Sequence, residues 1–287
     1  IIGNVYSNGP ITGSNSNLVQ GTAVSAGSSG LIDGVHATSS AYAHIIRNAD
    51  IDGDAYYQSI SNTSVAGTLH PGSTDLATSS FPISDAQIET WKIEAAAGGT
   101  HTSPCSYSIS SGSVSIGPKK INCSLSISGS AVVTLAGPVW VVGDITISNS
   151  VDIRVSSALG GSSVPLIADN PASPTSSGKV TLSNSTEYFG SGQPGSYILM
   201  ISQNKSAEQG GGTSAITISN DAKGALLLYA SHGLITLSNN IALKEVTAYK
   251  INVANSAKVQ YETGLANVLF TSGPSGRYSL DTWKEVE

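Results

Sequence analysis

The chain has 287 residues, of which only 11% are charged, with 13 Lys and Arg against 19 Asp and Glu, a formal net charge of −6 and a pI near 5.3. Cations this few and this scattered cannot form the clustered positive face that a phosphate backbone needs, which excludes nucleic acid as a partner. No stretch reaches the roughly 18 consecutive apolar residues of a membrane-crossing helix, and the regular spacing of the apolar residues excludes a disordered chain.

The length allows one large or two ordinary domains. Three segments are expected: irregular N-terminal rungs over 1–80, a helix and linker over 81–100, and a main repeat over 101–287. The opening Ile1-Ile2-Gly3 lacks Met, which suggests an upstream signal peptide or anchor. Over the first segment Gly3, Gly21, Gly34, Gly53 and Gly67 recur 18, 13, 19 and 14 residues apart. Glycine returning at one register suits a corner between stacked short strands, so this segment reads as a looser run of rungs.

Within it, Asn48, Asp50, Asp52 and Asp54 have the alternate-position oxygens and accompanying Gly53 of a calcium loop, although Ser59 stands where the closing Glu belongs. The competing reading is a strand with acidic outward residues and with Ile51, Gly53 and Ala55 facing in. Calcium on these four residues is the sole cofactor the sequence offers. His36, His44, His70, His101 and His232 share no ligand-like or triad-like spacing and read as surface or groove positions.

Residues 82–99 predict the one helix, short and amphipathic, over 84–97. Ser84 can cap it with Gln87 reaching back, Ile83 and Ile88 sit where a hydrophobic staple needs them, and Gly98-Gly99 stops it. Ile88, Trp91 and Ala95 form its apolar face. A solenoid leaves a terminal rung exposed, so the helix is expected to cover one; the alternative is a partner-binding helix.

From Tyr107 a five-residue unit recurs, starting at 107, 125, 145, 180, 216, 235 and 251, best formed in Ile145-Thr-Ile-Ser-Asn149. A period near 18 fits if each of the two long gaps holds one unmarked copy. Apolar and polar positions alternate as in a strand with one buried face. The fifth position is Asn149, Asn184, Asn220, Asn239 or Asn255, with Ser111 and Gly129 in the other two copies. Asn and Gly tolerate a left-handed backbone, so this position is the corner, and stacked Asn amides can ladder at the ~4.8 Å strand spacing. The fold class is therefore all-β, a right-handed parallel β-helix or β-solenoid with one helix.

Cys105 and Cys123 each lie two residues before a repeat start and so share a register on adjacent rungs. They are either a disulfide, which would indicate an exported protein, or a stacked free pair. Continuous apolar runs such as Pro165-Leu-Ile-Ala and Tyr197-Ile-Leu-Met-Ile read as second strands of each coil. The stretches 170–178 and 203–212 read as loop insertions, and 277–287 as a closing strand.

The strand-corner repeat, Gly117-Pro-Lys-Lys-Ile121, Gly143-Asp-Ile-Thr-Ile-Ser-Asn149 and Leu243-Lys-Glu-Val-Thr-Ala-Tyr-Lys250 resemble uncharacterised β-solenoid proteins of the bacterial envelope, many of which begin with a pilin-like or other anchored segment. The Gly-Asn-Val and Gly-Asp-Ala rungs of the first ~80 residues are similar to bactofilins, whose β-helices join end to end. These resemblances imply an extracellular or cell-surface structural or adhesive protein, pilus-associated or filament-forming, whose partners are copies of itself, envelope subunits or surface glycans. Residues 1–5 and 277–287 are the expected contacts with a neighbour or anchor. The alternative is a polysaccharide lyase or hydrolase. For that, Asp144, Asp152, Arg154 and the His232-Gly233 pair are the candidates, yet no matching acidic pair is evident. Sugar binding without cleavage would fall to Tyr56, Tyr57, Tyr188, Tyr249 and Tyr261.

Overall fold

Alternation of side chains turns the Ser/Thr/Asn repeat into strands. In Ile145–Ser148, Ile145 and Ile147 are wholly buried while Thr146 faces solvent. The computed structural model describes residues 1–14, 17–254 and 257–260, with the backbone of 269–270 and 278–279. The chain is an all-β parallel β-solenoid, with one α-helix among the described residues. It divides into two units, Ile1–Ser80 with Val259–Tyr261, and Phe81–Lys258 with Glu262–Glu287.

In the second unit the coils stack their strands on three faces. The first face carries Tyr107–Ile109, Leu125–Ile127, Ile145–Ser148, Val180–Ser183 and Ser214–Ile218. The second carries Ser113–Ile116, Val132–Leu135, Asp152–Val155, Glu187–Phe189 and Lys223–Gly224. The third carries Lys119–Ile121, Val139–Val141, Val164–Ala168 and Ile198–Ser202. Leu226–Leu237 is long enough to serve two faces, its first half pairing with Ile198–Ser202 and its second with Ser214–Ile218.

Ile145 pairs directly with Val180, and Val180 with Ile216. The two long gaps therefore hold no unmarked copy of the repeat. Each is one enlarged coil, with the connections 156–163, 169–179, 190–197 and 203–213 taking up the extra length. An insertion at a corner leaves the in-and-out alternation of the strands untouched, which is why the repeat survives on both sides.

The helix Asp85–Ala97 starts at Ser84, whose hydroxyl accepts the Gln87 backbone N–H at 3.2 Å; the bond comes from the Gln87 backbone, not its side chain. Its place corrects the expectation of a cover over a terminal rung. Ile83, Ile88 and Trp91 pack on Ile167, Leu199, Ile201, Leu227 and Tyr229, the outward residues of successive coils on the third face. The helix thus lies along the flank of the solenoid. This explains the continuous apolar runs 164–168 and 198–201, buried at every position because one side meets the core and the other the helix. Gly98 permits the approach, since a Cβ there would meet the Pro118 carbonyl oxygen at 2.2 Å.

The helix is less cleanly amphipathic than its pattern suggests: Lys92 is buried while Ile93 is 71% exposed. Lys92 Nζ lies 2.6 Å from Asp169 Oδ2 and 2.5 Å from Glu89 Oε1, and 4.6 Å from the centre of the Trp140 ring. Burial pulls its pKa down, but the bonds to Asp169 and Glu89 outweigh that and leave it raised.

Tyr229 donates its hydroxyl to the Ile83 carbonyl, and burial pushes its pKa up to about 12. The folded chain then holds this proton more tightly than the unfolded chain, where tyrosine titrates near ~10. Stability is intact below that pH and lost as pH rises through the folded value. We expect a loss on the order of 2 kcal/mol by pH ~12, read from urea unfolding across that range. Tyr229→Phe should reduce the dependence by about that amount, the buried Tyr188, whose pKa is also raised by burial, keeping its own share, and an unchanged profile in that variant would contradict the assignment.

The first unit also stacks parallel strands. Val5–Ser7, Ala23–Ser25, Ala41–Arg47, Ala55–Ser61 and Leu69–Pro71 follow one another on one sheet. Ala23 pairs with Ala41, but Ala41 pairs with Ala55 only 14 residues on. Coils this short leave a narrow interior, which is filled by Ala23, Ala41 and Ala55, all fully buried. The glycine series mixes two corners. Ser39 follows Gly21, and Gly53 follows Ser39; Gly34 stacks over Gly13, at a second corner continued by Asn48 and Asn62, and of these four Gly34, Asn48 and Asn62 have positive φ. At the first corner, a Cβ on Gly67 would meet the Gly53 carbonyl oxygen at 2.5 Å. Residues 73–79 then run back along the coils as a strap. Gln58 donates to the Ser73 carbonyl, Asp75 meets His44 at 2.9 Å, Tyr6 donates to the Ala77 carbonyl, and Asn8 exchanges hydrogen bonds with Ser79.

Candidate functional site

The exposed side of the second unit's first face is a column of hydroxyls. Ser108, Ser126, Thr146, Thr181 and Thr217 pair in unbroken register, and Thr236 continues the column. At its edge, Asn149, Asn184, Asn220 and Asn239 turn the corner at φ 68°, 60°, 56° and 57°. Their amides form a ladder: Asn184 donates to Asn149 at 3.3 Å, Asn220 to Asn184 at 3.1 Å and Asn239 to Asn220 at 3.0 Å. Gly129 takes the same left-handed turn, and Asn255 lies outside the described residues.

Cys105 and Cys123 are joined by a disulfide with a Cα separation of 5.3 Å across 18 residues of chain. Closing a loop of that length stabilises by about 3 kcal/mol. Reduction is expected to lower the unfolding free energy of the second unit by that order. A melting temperature unmoved by reductant, with the bridge seen by non-reducing mass spectrometry, would contradict it.

The four oxygens expected around calcium do not converge. Asn48 donates to Asp33 at 2.8 Å and accepts from Asn62 at 2.8 Å, which engages it in a corner ladder. Asp54 accepts the Thr68 backbone N–H at 2.7 Å and lies 3.6 Å from His70; the bond to Thr68 chiefly, against a smaller opposing effect of desolvation, holds its carboxyl below the usual range. Only Asp50 and Asp52 share a direction, and they meet His36. Its Nε2 lies 3.3 Å from Asp52 Oδ1 and 3.9 Å from Asp50 Oδ2. His36 is in register with Asp50 on the next coil, a pairing hidden by the irregular glycine spacing.

The candidate sugar-cleaving acids are held in local contacts. Asp144 accepts the Lys179 backbone N–H at 3.0 Å and the Ser177 hydroxyl at 3.1 Å. Asp152 pairs with Arg154 at 2.6 Å, and Arg154 stacks on Phe189. A neighbouring coil does repeat an acid here: Glu187 is in register with Asp152 and is paired to Lys223 at 3.0 Å. The enlarged coil between 145 and 180 concealed that pairing.

His232 also has acids that its neighbourhood in sequence does not reveal. Its Nδ1 is 2.9 Å from Glu208 and its Nε2 3.0 Å from Asp85, the first residue of the helix. Of the tyrosines considered for sugar, Tyr57 and Tyr188 are buried. Tyr56 is sandwiched between Tyr42 and His70 at centroid distances of 4.3 and 4.2 Å. Tyr249 is exposed, and Tyr261 is outside the described residues. No family model, curated protein or solved structure matches the chain.

Proposed function

We propose that the chain is a non-enzymatic structural or adhesive protein of the cell surface or extracellular space, a pilus-associated or filament-forming subunit. The observation that carries this reading is the hydroxyl column of Ser108, Ser126, Thr146, Thr181 and Thr217, an uncharged surface repeated coil after coil. Such a surface suits repeated contact with a copy of the chain, an envelope subunit or a glycan, because each rung offers the same hydrogen-bonding groups at the strand spacing. The disulfide suits an oxidising compartment. Purified chain should associate with itself or sediment with isolated envelope appendages, and Thr146→Lys with Thr181→Lys should weaken that association while the fold is retained. A chain that stays monomeric and binds no appendage preparation would overturn the reading.

A second reading, a polysaccharide lyase or hydrolase, is favoured by His232 alone, which has a carboxylate at each ring nitrogen. Those carboxylates also tie the start of the helix and the 203–213 loop to the strand that carries His232, so the cluster has a structural use without any substrate.

A further inference from the structure

We infer that His36, Asp50 and Asp52 form a binding site for one divalent ion of the zinc class, on the three-stranded sheet of His36–Ala37, Asp50–Ile51 and Ser64–Val65 in the first unit. One donor atom from each residue can be chosen so that all lie within 4.8 Å of one another. Zinc holds imidazole nitrogen and carboxylate oxygen at about 2.0–2.2 Å, so two donors on a tetrahedral ion stand roughly 3.4 Å apart. His36 Nε2 and Asp52 Oδ1 are already 3.3 Å apart, and Asp50 Oδ2 lies 3.9 Å from the same nitrogen; rotation of the two exposed carboxylates would bring their oxygens, within 4.8 Å of each other, to the spacing of a tetrahedral ion.

The backbone explains why these donors meet. His36 and Asp50 stack on consecutive coils, and Asp52 follows Asp50 by two residues, so an extended chain returns it to the same side. Among the described residues no Lys or Arg pairs with either carboxylate; their ion-pair partner is His36. An imidazole with two carboxylates suits zinc, manganese or cobalt and not calcium, which takes six to eight oxygens. All three side chains are partly exposed, at 39%, 57% and 49%. The remaining coordination position therefore opens to water beside a depression lined by Asn17, Asn48, Asn62 and Ser64.

Isothermal titration of the full chain with zinc chloride tests the site. One ion per chain should bind, with affinity reduced more than about tenfold in His36→Ala and in Asp52→Asn, a factor that even an outer partner of a metal site can carry. His44→Ala, which removes a His–Asp pair lacking a second carboxylate, should leave the titration unchanged. X-ray absorption of the zinc-loaded wild-type chain should show one imidazole nitrogen with oxygen neighbours, a readout independent of any variant's folding. Absence of saturable uptake, uptake unaffected by His36→Ala, equal binding of calcium, or a first shell without imidazole would each overturn the inference.

Discussion

Ile147→Asp is expected to lower the unfolding free energy of the second unit by roughly 3 to 5 kcal/mol, while Thr146→Asp changes it by less than about 0.5 kcal/mol. The two residues are adjacent, so the contrast isolates the face. Ile147 is fully buried and lies in register between Ile127 and Leu182, which are also fully buried. A carboxylate there would stand in an apolar column with nothing to accept from. Thr146 points away from that column into solvent, where a charge stays hydrated. Urea unfolding followed by circular dichroism would measure both, and equal midpoints would contradict the inward and outward faces assigned to every coil.

Lys92→Ala is expected to cost a similar 3 to 5 kcal/mol, for a different reason. It would leave Asp169, whose side chain is only 10% exposed, without its cation, and would remove one of the two cations at the Trp140 ring, Lys120 staying at 4.0 Å. The double variant Lys92→Met with Asp169→Leu removes both charges and keeps apolar volume against Trp140, so it should recover most of the loss. A double-mutant cycle that shows simple additivity would mean that the pair does not hold the helix to the flank.

The coil and its faces were legible in sequence because period-two alternation survives wherever one side of a strand is buried. The corner was legible for an equally local reason: Asn149, Asn184, Asn220 and Asn239 occupy a backbone conformation that few residues tolerate. What escaped was everything set by coil length. The 35 residues between Asn149 and Asn184 read as two periods, although they are one coil with a long loop, and this hid the stacking of Glu187 on Asp152. In the first unit the change to coils of 14 residues placed Gly34 at a different corner from Gly21 and concealed His36 beside Asp50.

The helix shows the same division. Ser84, Ile88 and Trp91 could be read from spacing, because caps and staples are local. Its place on the flank could not, because the same apolar face would serve a terminal rung. The clue lay in the other partner: 164–168 and 198–201 are apolar on both sides, and a strand without a polar side needs cover on both. Lys92 and His232 depend on partners 77 and 147 residues away, Asp169 and Asp85, and no local pattern announces such contacts.

Incubation of the purified chain with pectin, alginate and peptidoglycan, with released reducing or unsaturated ends quantified over time, tests most directly whether this protein works through its surface and not through bond cleavage. The scaffold reading predicts no release above a chain-free control for any of the three polymers. Reproducible cleavage that disappears in His232→Ala, Asp144→Asn or Asp152→Asn variants of intact fold would contradict it.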